Sequence, residues 1–286
     1  MRTSDIRIRD PFVVADQQAK TYYLYGTTDE DVWTGPASGF QVYQSGDLQE
    51  WEGPFQAFRP PPRFWADQHF WAPEVYEWKN AYYMLATFKS DKRCRGTQIL
   101  KAQSALGPFK PLTEGPITPK EWECLDGTLF MDKKGIPWMV FCREWIQVKD
   151  GEMYALRLSE DFQAVHGEPV LLFTASQAPW TKPVREANYI TDGPFLYETE
   201  NGELEMIWSS YSEKGYAVGI ARSLSGAVEG PWIHEAEPLL DQDGGHGMIF
   251  RDFTGKRRLA IHAPNRSPHE RAVFLNMEEL MGKRPV

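Results

Sequence analysis

The amino-acid sequence predicts an all-β fold, and three observations support this prediction. Tryptophan, tyrosine and phenylalanine make up 14% of the 286 residues, and they stand in short runs such as YYLY at positions 22–25. Aromatic runs of this kind favour strands over helices. No long segment has the 3.6-residue period of a helix, apart from a final turn around positions 277–281. The third observation is an internal repeat.

Five apolar, aromatic segments recur at intervals of about 50 to 70 residues, close to the length of a four-stranded propeller blade. They begin at Thr21, Ala81, Pro137, Leu204 and Arg257. Each of the first four is followed by a second strand, a serine, a turn and an outer strand rich in Gly-Pro or aromatic residues. The fifth repeat is shorter, so we expect the chain to end within a blade. The sequence therefore predicts a single five-bladed β-propeller domain over residues 1–286.

A polar residue stands at or just before the start of each strand that precedes these five segments. These residues are Asp10, Glu74, Asp126, Asp192 and His246. The innermost strands of a propeller line a central channel, so side chains that recur at their starts gather around one axis. Residues 58–70 and 174–189, rich in proline and aromatic residues, are interpreted as loops over one end of the channel, where specificity is expected.

Asp192 lies in the stretch YITDGPFLY, residues 189–197, and two interpretations compete for it. Asp before Gly-Pro is typical of a turn, because Asp bonds its own backbone and Pro fixes the next φ angle. Its position in the repeat instead places it at the channel. We therefore interpret Asp192 as both a turn residue and a candidate for chemistry.

Charge and cysteine content narrow the classes of partner. The net charge is −9 and no basic cluster interleaved with aromatic residues occurs, so nucleic acid and anionic membranes are not expected partners. The three cysteines, Cys94, Cys124 and Cys142, lack the spacing of a zinc site or a disulfide framework. The first residues lack the apolar core of a signal peptide, which favours a cytoplasmic location. The sequence does not predict an oligomeric state.

The repeated motifs resemble glycoside hydrolase family 43. The motifs are RDP at Arg9, WAPE at Trp71, LDG at Leu125, DGP at Asp192 and GGHG at Gly244. Members of that family are five-bladed propellers that hydrolyse plant-wall pentosides with inversion at the anomeric carbon, and the resemblance covers nearly the whole chain. It implies a β-xylosidase, α-L-arabinofuranosidase or arabinanase type of enzyme. We expect an oligosaccharide substrate and, from the long loops, exo action.

The resemblance also implies roles for individual residues. Asp10 would be the general base, Asp126 would hold the base and acid in place and tune the acid's pKa, and Asp192 would be the general acid. His246 would lie near a calcium or other cation in the central channel, and no organic cofactor is implied. Trp71 and Arg271 are expected to contact substrate, the first through its aromatic face.

Physical chemistry supports this assignment independently of the resemblance. Inverting hydrolysis needs one carboxylate to activate water and one carboxylic acid to protonate the leaving oxygen, about 6.5–9.5 Å apart. Carboxylates on opposite walls of a channel meet that requirement. A third carboxylate nearby raises the pKa of the acid by repulsion between like charges.

One departure from the family pattern concerns the acid. The family has Glu where this chain has Asp192, whose side chain is one methylene shorter. A proton donor misplaced by about an ångström can lose on the order of a hundredfold in rate. Glu144 and Glu186 are therefore alternative acids, and both are also candidates for contacts with substrate.

Two other functions remain open from sequence. WECLDG at Trp122 is similar to the Trp-Glu-Cys motif of retaining invertase-type propellers, which would make Asp10 a nucleophile and Glu123 the acid/base. The NDPNG opening of those enzymes is absent. A non-catalytic sugar-binding propeller is the third interpretation, because the departure at Asp192 is compatible with a lost acid.

Overall fold

The computed structural model describes residues 1–282 and confirms the five-bladed β-propeller. Five antiparallel sheets follow one another along the chain, and within each sheet the strands pair in chain order. Blade 1 contains β1 (Arg9–Asp16), β2 (Thr21–Thr27), β3 (Phe40–Ser45) and β4 (Glu52–Phe58). Blade 2 contains β5 (Gln68–Trp78), β6 (Ala81–Ser90), β7 (Arg93–Ala102) and β8 (Lys110–Pro111).

The remaining blades follow the same plan. Blade 3 contains β9 (Cys124–Met131), β10 (Pro137–Arg143), β11 (Glu152–Leu158) and β12 (Val165–Thr174). Blade 4 contains β13 (Asp192–Glu198), β14 (Leu204–Ser212), β15 (Gly215–Ser223) and β16 (Trp232–His234). Blade 5 contains β17 (Gly245–Arg251), β18 (Arg257–Ala263) and β19 (Arg271–Asn276). Helix α1 (Trp145–Val148) follows β10, and helix α2 (Met277–Met281) follows β19 as the final turn that the sequence predicts.

The N-terminal segment closes the propeller by joining blade 5. Arg7 forms an antiparallel bridge with Arg271 of β19, and the Ile8 amide donates to the Glu270 carbonyl at 3.2 Å. The Arg271 guanidinium donates to the Ser4 carbonyl at 2.7 Å. The short fifth repeat is thus completed from the other end of the chain, and this seam leads directly into β1 and Asp10.

Aromatic side chains fill the space between blades 1 and 2. Phe40 and Phe58 face Phe70 and Phe88 with ring centroids 5.7 to 6.1 Å apart, and all four side chains are buried. Truncating one such ring to alanine costs about 3–5 kcal/mol. This packing fixes β3 and β4 of blade 1 against β5 and β6 of blade 2. Among the described residues, no helix is long and apolar enough to cross a membrane.

Each inner strand begins with the same β-bulge. The pairing register with the second strand of the blade slips at this point in all five blades. A bulge re-aims the side chains around it, and here one residue of each bulge has a positive φ, which is unfavourable for residues other than glycine. The five residues are Asp10 (52°), Ala72 (45°), Asp126 (56°), Gly193 (48°) and His246 (47°).

The bulges are linked around the axis by hydrogen bonds from one blade to the next. The bulge amides of Ala72, Asp126 and His246 donate to hydroxyl groups on the second strand of the preceding blade. The acceptors are Thr27 (2.8 Å), Thr87 (2.9 Å) and Ser209 (2.8 Å). The Asp10 amide closes the ring by donating to His262 Nδ1 on β18 at 3.1 Å.

Blade 3 is the exception in this ring. Cys142 occupies the position of the hydroxyl residues, opposite Leu125, and a thiol is a weak acceptor. The Gly193 amide instead donates to the carboxylate of Asp126 at 3.0 Å. A side chain at Gly193 would meet the His246 ring at 2.8 Å. Glycine is therefore required at the point where blades 3, 4 and 5 meet.

Candidate active site

A cavity of about 330 Å³ lies where the inner strands begin. Four of the five polar residues that the repeat singles out line it: Asp10, Asp126, Asp192 and His246. Other strands and the loops complete the wall, and the residues that they contribute include Trp33, Glu144, Tyr211, Tyr216 and Asn265. The structure therefore brings the predicted carboxylates into one cavity.

Three side chains surround the buried carboxylate of Asp10. Its side chain is 10% exposed and its Oδ1 lies 3.2 Å from His246 Nδ1. Thr27 donates to Oδ2 at 2.7 Å, and His262 Nδ1 lies 3.5 Å from Oδ1. Burial acts to raise the pKa of Asp10, but the positive charges of His246 and Arg9 outweigh burial and lower the pKa below its usual value. Asp10 is therefore ionised in the working pH range of most enzymes.

Asp126 has the opposite electrostatic environment. Its side chain is 5% exposed, and Oδ2 lies 3.6 Å from His246 Nδ1. Burial and the charge of Asp10 raise the pKa of Asp126 well above its usual value, although the hydrogen bond from the Gly193 amide opposes this shift. Its pKa is therefore displaced in the direction opposite to that of Asp10, although both carboxyl groups are buried beside His246.

Asp192 begins β13, one residue before the bulge. Tyr216 donates its hydroxyl to Asp192 Oδ2 at 2.9 Å. Burial, followed by the charge of Asp126, raises the pKa of Asp192 to about 7, although His246 and the Tyr216 hydrogen bond oppose this. A carboxyl group with this pKa remains protonated to near neutral pH and can donate its proton.

The side chains around His246 bear on the cation that the sequence predicts there. His246 Nδ1 faces the carboxylates of Asp10 and Asp126. Within residues 1–282, no group of three or more His, Cys, Asp or Glu side chains is arranged to hold a metal ion. The side chains at His246 therefore do not fit a directly ligated metal, and the cation stays a prediction.

An aromatic wall faces these carboxylates. Trp71 lines the cavity, and its ring stacks on His69 with centroids 4.2 Å apart. Arg95 covers Trp71 at 4.5 Å, and the indole of Trp33 meets Trp71 edge to face at 5.4 Å. Trp33 is 53% exposed. The wall thus has a fixed ring beside an exposed ring, which suits the apolar face of a sugar.

Glu144 reaches the cavity as part of an ion pair. The structure pairs its carboxylate with Arg95, and the two side chains are 11% and 5% exposed. Burial raises the pKa of Glu144, while the charge of Arg95 opposes that rise. Arg95 also bonds His69 Nδ1 at 2.9 Å. Glu144 is therefore anchored to the aromatic wall, in reach of a substrate.

Several predicted residues do not reach the cavity. Arg271 is absent from its lining, because its guanidinium donates to the backbone carbonyls of Ser4, Pro268 and Glu270. In this structure Arg271 joins the closure seam, and its contact with substrate stays a prediction. Glu186 is exposed on the loop before β13 and does not line the cavity either, so its predicted contact with substrate and its alternative role as the acid are not supported.

Two further carboxylates, Glu123 and Glu74, bond to side chains and backbone outside the cavity. Glu123 forms an ion pair with Lys89 at 2.9 Å and accepts the Arg95 amide at 2.9 Å, away from the cavity lining. It is not placed to act as acid/base in the invertase-type alternative. Glu74 is buried two residues after the bulge and accepts the Tyr76 hydroxyl, and burial raises its pKa to about 8.

Sequence reasoning missed residues that complete the site. Arg9 lines the cavity, is 12% exposed and bonds Asn265 at 2.9 Å. His262 is fully buried and accepts the Asp10 amide. A signal for His262 was present, because it stands where the other repeats carry Thr27, Thr87 or Ser209. Arg9 and Tyr216 gave no comparable signal.

The five-bladed fold and a cavity with one carboxyl group of lowered pKa and two of raised pKa match what glycoside hydrolysis requires. Sequence comparison agrees: the profile of Glycosyl hydrolases family 43 matches residues 4–279. The chain therefore belongs to glycoside hydrolase family 43, as its motifs predicted. This membership also argues against the sugar-binding and invertase-type alternatives.

Three proteins illustrate what the chain is similar to. The structure of an endo-arabinase from Bacteroides thetaiotaomicron is 42% identical, covers 96% of each chain and superposes with a TM-score of 0.90. The extracellular exo-α-(1→5)-L-arabinofuranosidase ArbA of Cellvibrio japonicus is 24% identical over 85% of this chain and 71% of its own length. An α-L-arabinofuranosidase structure from Lactobacillus brevis is 16% identical, covers 96% and 94% of the two chains, and shares the fold with a TM-score of 0.75.

Proposed function

We propose that this protein hydrolyses α-L-arabinofuranosidic bonds with inversion at the anomeric carbon. One observation carries the proposal: two carboxylates in one cavity have pKa values displaced in opposite directions, Asp10 downward and Asp192 to about 7. A glycosidase needs an ionised base and a protonated acid at the same pH. The similarity to an endo-arabinase and an arabinofuranosidase supports the choice of sugar.

In this mechanism Asp10 is the general base. Its ionised carboxylate accepts a proton from water on one face of the sugar ring, and the water oxygen attacks the anomeric carbon. Thr27 and His246 hold the carboxylate, so its lone pair keeps a fixed direction. Positioning of this kind supplies part of the rate enhancement.

Asp192 is the general acid on the opposite side of the bond. It donates its proton to the leaving oxygen as the glycosidic bond breaks, and it ends the cycle as a carboxylate. Burial, followed by the negative charge of Asp126, keeps Asp192 protonated beforehand. We prefer Asp192 to Glu144 as the acid, because Glu144 already carries the ion pair to Arg95.

We propose exo action on short oligosaccharides, and the cavity supports this mode. Its volume of about 330 Å³ stands at the small end of ligand sites and suits one or two sugar rings rather than a long chain. The similarity to an endo-arabinase favours internal cleavage as the second candidate. The cytoplasmic location stays a prediction, and oligosaccharides imported into the cell would be the matching substrates.

The test is hydrolysis of linear α-1,5-arabino-oligosaccharides with proton NMR of the first-formed product. Inversion predicts β-L-arabinose as the first anomer, and exo action predicts arabinose as the first product at all chain lengths. Retention would overturn the mechanism. Early release of mixed oligosaccharides would replace exo by endo action, and turnover of a β-xyloside alone would change the sugar.

A further inference from the structure

Glu270 is a buried carboxylate that the proposed mechanism does not use. Its side chain is 0% exposed, and Oε1 accepts Arg9 Nη1 at 2.7 Å. Oε2 lies 3.7 Å from Arg7 Nε and has no hydrogen-bond partner among the described residues. Both arginines belong to the segment that closes the propeller. A buried charge of this kind is costly unless it is paired, so the pair holds Arg9 firmly.

Arg9, which Glu270 holds, also contacts residues that line the cavity. Its second guanidinium nitrogen donates to Asn265 Oδ1 at 2.9 Å, and its guanidinium lies over the Trp33 ring at 5.3 Å. Arginine presents its donors in a planar fork, so one residue can serve two acceptors in fixed directions. Arg9 therefore joins Glu270 to Asn265.

Asn265 extends the chain of contacts to the proposed base. Its Oδ1 lies 3.2 Å from His262 Nε2, and His262 Nδ1 accepts the Asp10 amide at 3.1 Å. Because Nδ1 accepts, the proton of the neutral ring lies on Nε2 and is donated to Asn265. Burial lowers the pKa of His262 to about 4, so the ring stays neutral near pH 7. The contacts from Glu270 to Asp10 are thus continuous.

We propose that Glu270 is a positioning residue for the general base, acting through Arg9 on the charge near Asp10 and through Asn265 and His262 on its backbone. The proposal deepens the proposed function and rests on Asp10 being the base. It also gives the closure seam a second role, since the contacts that join the chain ends hold the residue beside Asp10.

The charged or titratable groups that face Asp10 are Arg9 on β1, Asp126 on β9, Tyr216 on β15, His246 on β17 and His262 on β18. Arg9 itself faces Asp10, Glu270 and Tyr216. If Glu270 is replaced by Gln, Arg9 is no longer held, and part of the positive charge leaves Asp10. Less positive charge then opposes the effect of burial, so the pKa of Asp10 rises. As the pH is lowered, kcat/KM therefore begins to fall at a higher pH than in the wild type.

The experiment compares the acid limb of kcat/KM in the wild type, Glu270→Gln, Arg9→Gln and the double variant. Glu205→Gln is the matched control, because Glu205 is a buried carboxylate that accepts Tyr197 at 2.5 Å away from the cavity. We expect Glu270→Gln to move the acid limb upward by about 0.5 to 1 pH unit. Arg9→Gln should do the same, the double variant should go no further, and the control should leave the limb in place.

Three results would overturn the proposal. An acid limb that stays in place while thermal stability falls would make Glu270 merely structural. A limb that moves to lower pH would mean that Arg9 stays in position and Glu270 acts only as a like charge. If the shifts of the acid limb in Glu270→Gln and Arg9→Gln add up in the double variant, the two residues act on Asp10 independently.

Two further variants keep the test sound. If Glu270→Gln does not fold, Asn265→Ala replaces it in the test. This substitution leaves the ion pair between Glu270 and Arg9 intact but removes the contact with His262, so the acid limb should again move to higher pH. An acid limb in the wild-type position would reject the proposal. If Asp10→Asn keeps wild-type turnover, the base assignment itself is wrong. The failure of the proposed function is thereby distinguished from the failure of this inference.

Discussion

The two walls of the cavity carry the same side chain in opposite electrostatic surroundings. Asp10 lies beside His246 and Arg9 and receives the Thr27 hydroxyl. Asp192 lies near Asp126 and receives the Tyr216 hydroxyl. Burial acts to raise the pKa of both carboxyl groups, and neighbouring charge decides the outcome. The difference shows how one residue type can supply both a base and an acid at one pH.

The propeller repeat produces this difference through the bulges. Asp10 and His246 occupy the same bulge position in adjacent blades 1 and 5, which places a histidine against the proposed base. Asp192 stands one residue before the bulge of blade 4, and Gly193 occupies the bulge itself. The proposed acid therefore lies one residue away from the bulge position that Asp10 occupies beside His246.

Removing the base should have the largest effect. Asp10→Asn keeps the shape of the side chain but cannot accept a proton from water, so we expect kcat to fall by about 10³-fold or more. Asp16→Asn is the matched control, because Asp16 ends the same strand and bonds turn amides at the surface. Steady-state kinetics on arabino-oligosaccharides measures both. Comparable losses in the two variants would point to damage of β1 rather than to chemistry.

Removing the acid should have an effect that depends on the leaving group. Asp192→Asn should lower kcat on an unactivated oligosaccharide by about 10²- to 10⁴-fold. The loss should be far smaller on an aryl glycoside with a good leaving group, because such a group departs without protonation. Equal losses on both substrates would remove Asp192 from this role and return attention to Glu144.

The same substitution should stabilise the fold at alkaline pH. A carboxyl pKa raised in the folded state, here from 3.8 to about 7, contributes stability that is complete below the unfolded pKa and is lost as pH rises through about 7. Asn removes the partly buried charge, so we expect Asp192→Asn to gain about 1–4 kcal/mol at pH 8 and little near pH 4. Denaturant unfolding at both pH values measures this gain. A pH-independent difference would contradict the raised pKa.

Changing the third carboxylate should move the alkaline limb of the pH profile. Asp126→Asn removes a charge that raises the pKa of Asp192, so activity should be lost at a lower pH than in the wild type. We expect kcat/KM at pH 7 to fall by about tenfold. The Asn side chain keeps an acceptor for the Gly193 amide. An alkaline limb that does not move would show that Asp126 does not tune the acid.

The smallest effect should come from the aromatic wall. Trp33→Ala removes an exposed ring beside the Arg9 guanidinium and Trp71, and we expect KM to rise by about five- to tenfold with kcat nearly unchanged. Phe55→Ala, an exposed aromatic on β4, is the control. A fall in kcat with constant KM would instead mean that Trp33 positions the reacting groups.

Much of this architecture could be predicted from sequence, because blade repeats impose a strong pattern on hydrophobic and polar residues. The five inner strands and the three carboxylates follow from that pattern. The repeat aligned Glu74 with Asp126, whereas the bulges align Ala72 with Asp126. Bulge register depends on hydrogen bonds between neighbouring blades, which a single sequence does not display.

The residues missed or misplaced were those whose position depends on closure of the ring. Arg9 reaches the cavity because Glu270, near the far end of the chain, binds its guanidinium. Arg271 turns away because the N-terminal segment offers it carbonyl groups. Both outcomes depend on contacts between residues more than 250 positions apart, and no local pattern reports such contacts.

The pH dependence of kcat/KM in the wild type tests the division of roles between Asp10 and Asp192 most directly. It should be measured with an unactivated arabino-oligosaccharide and with an aryl arabinofuranoside that has a good leaving group. We predict an alkaline limb near pH 7 for the oligosaccharide and a much weaker one for the aryl substrate, with an acid limb below the usual range of a carboxyl group. An acid limb near pH 7, or an alkaline limb equally steep for both substrates, would contradict this division of roles.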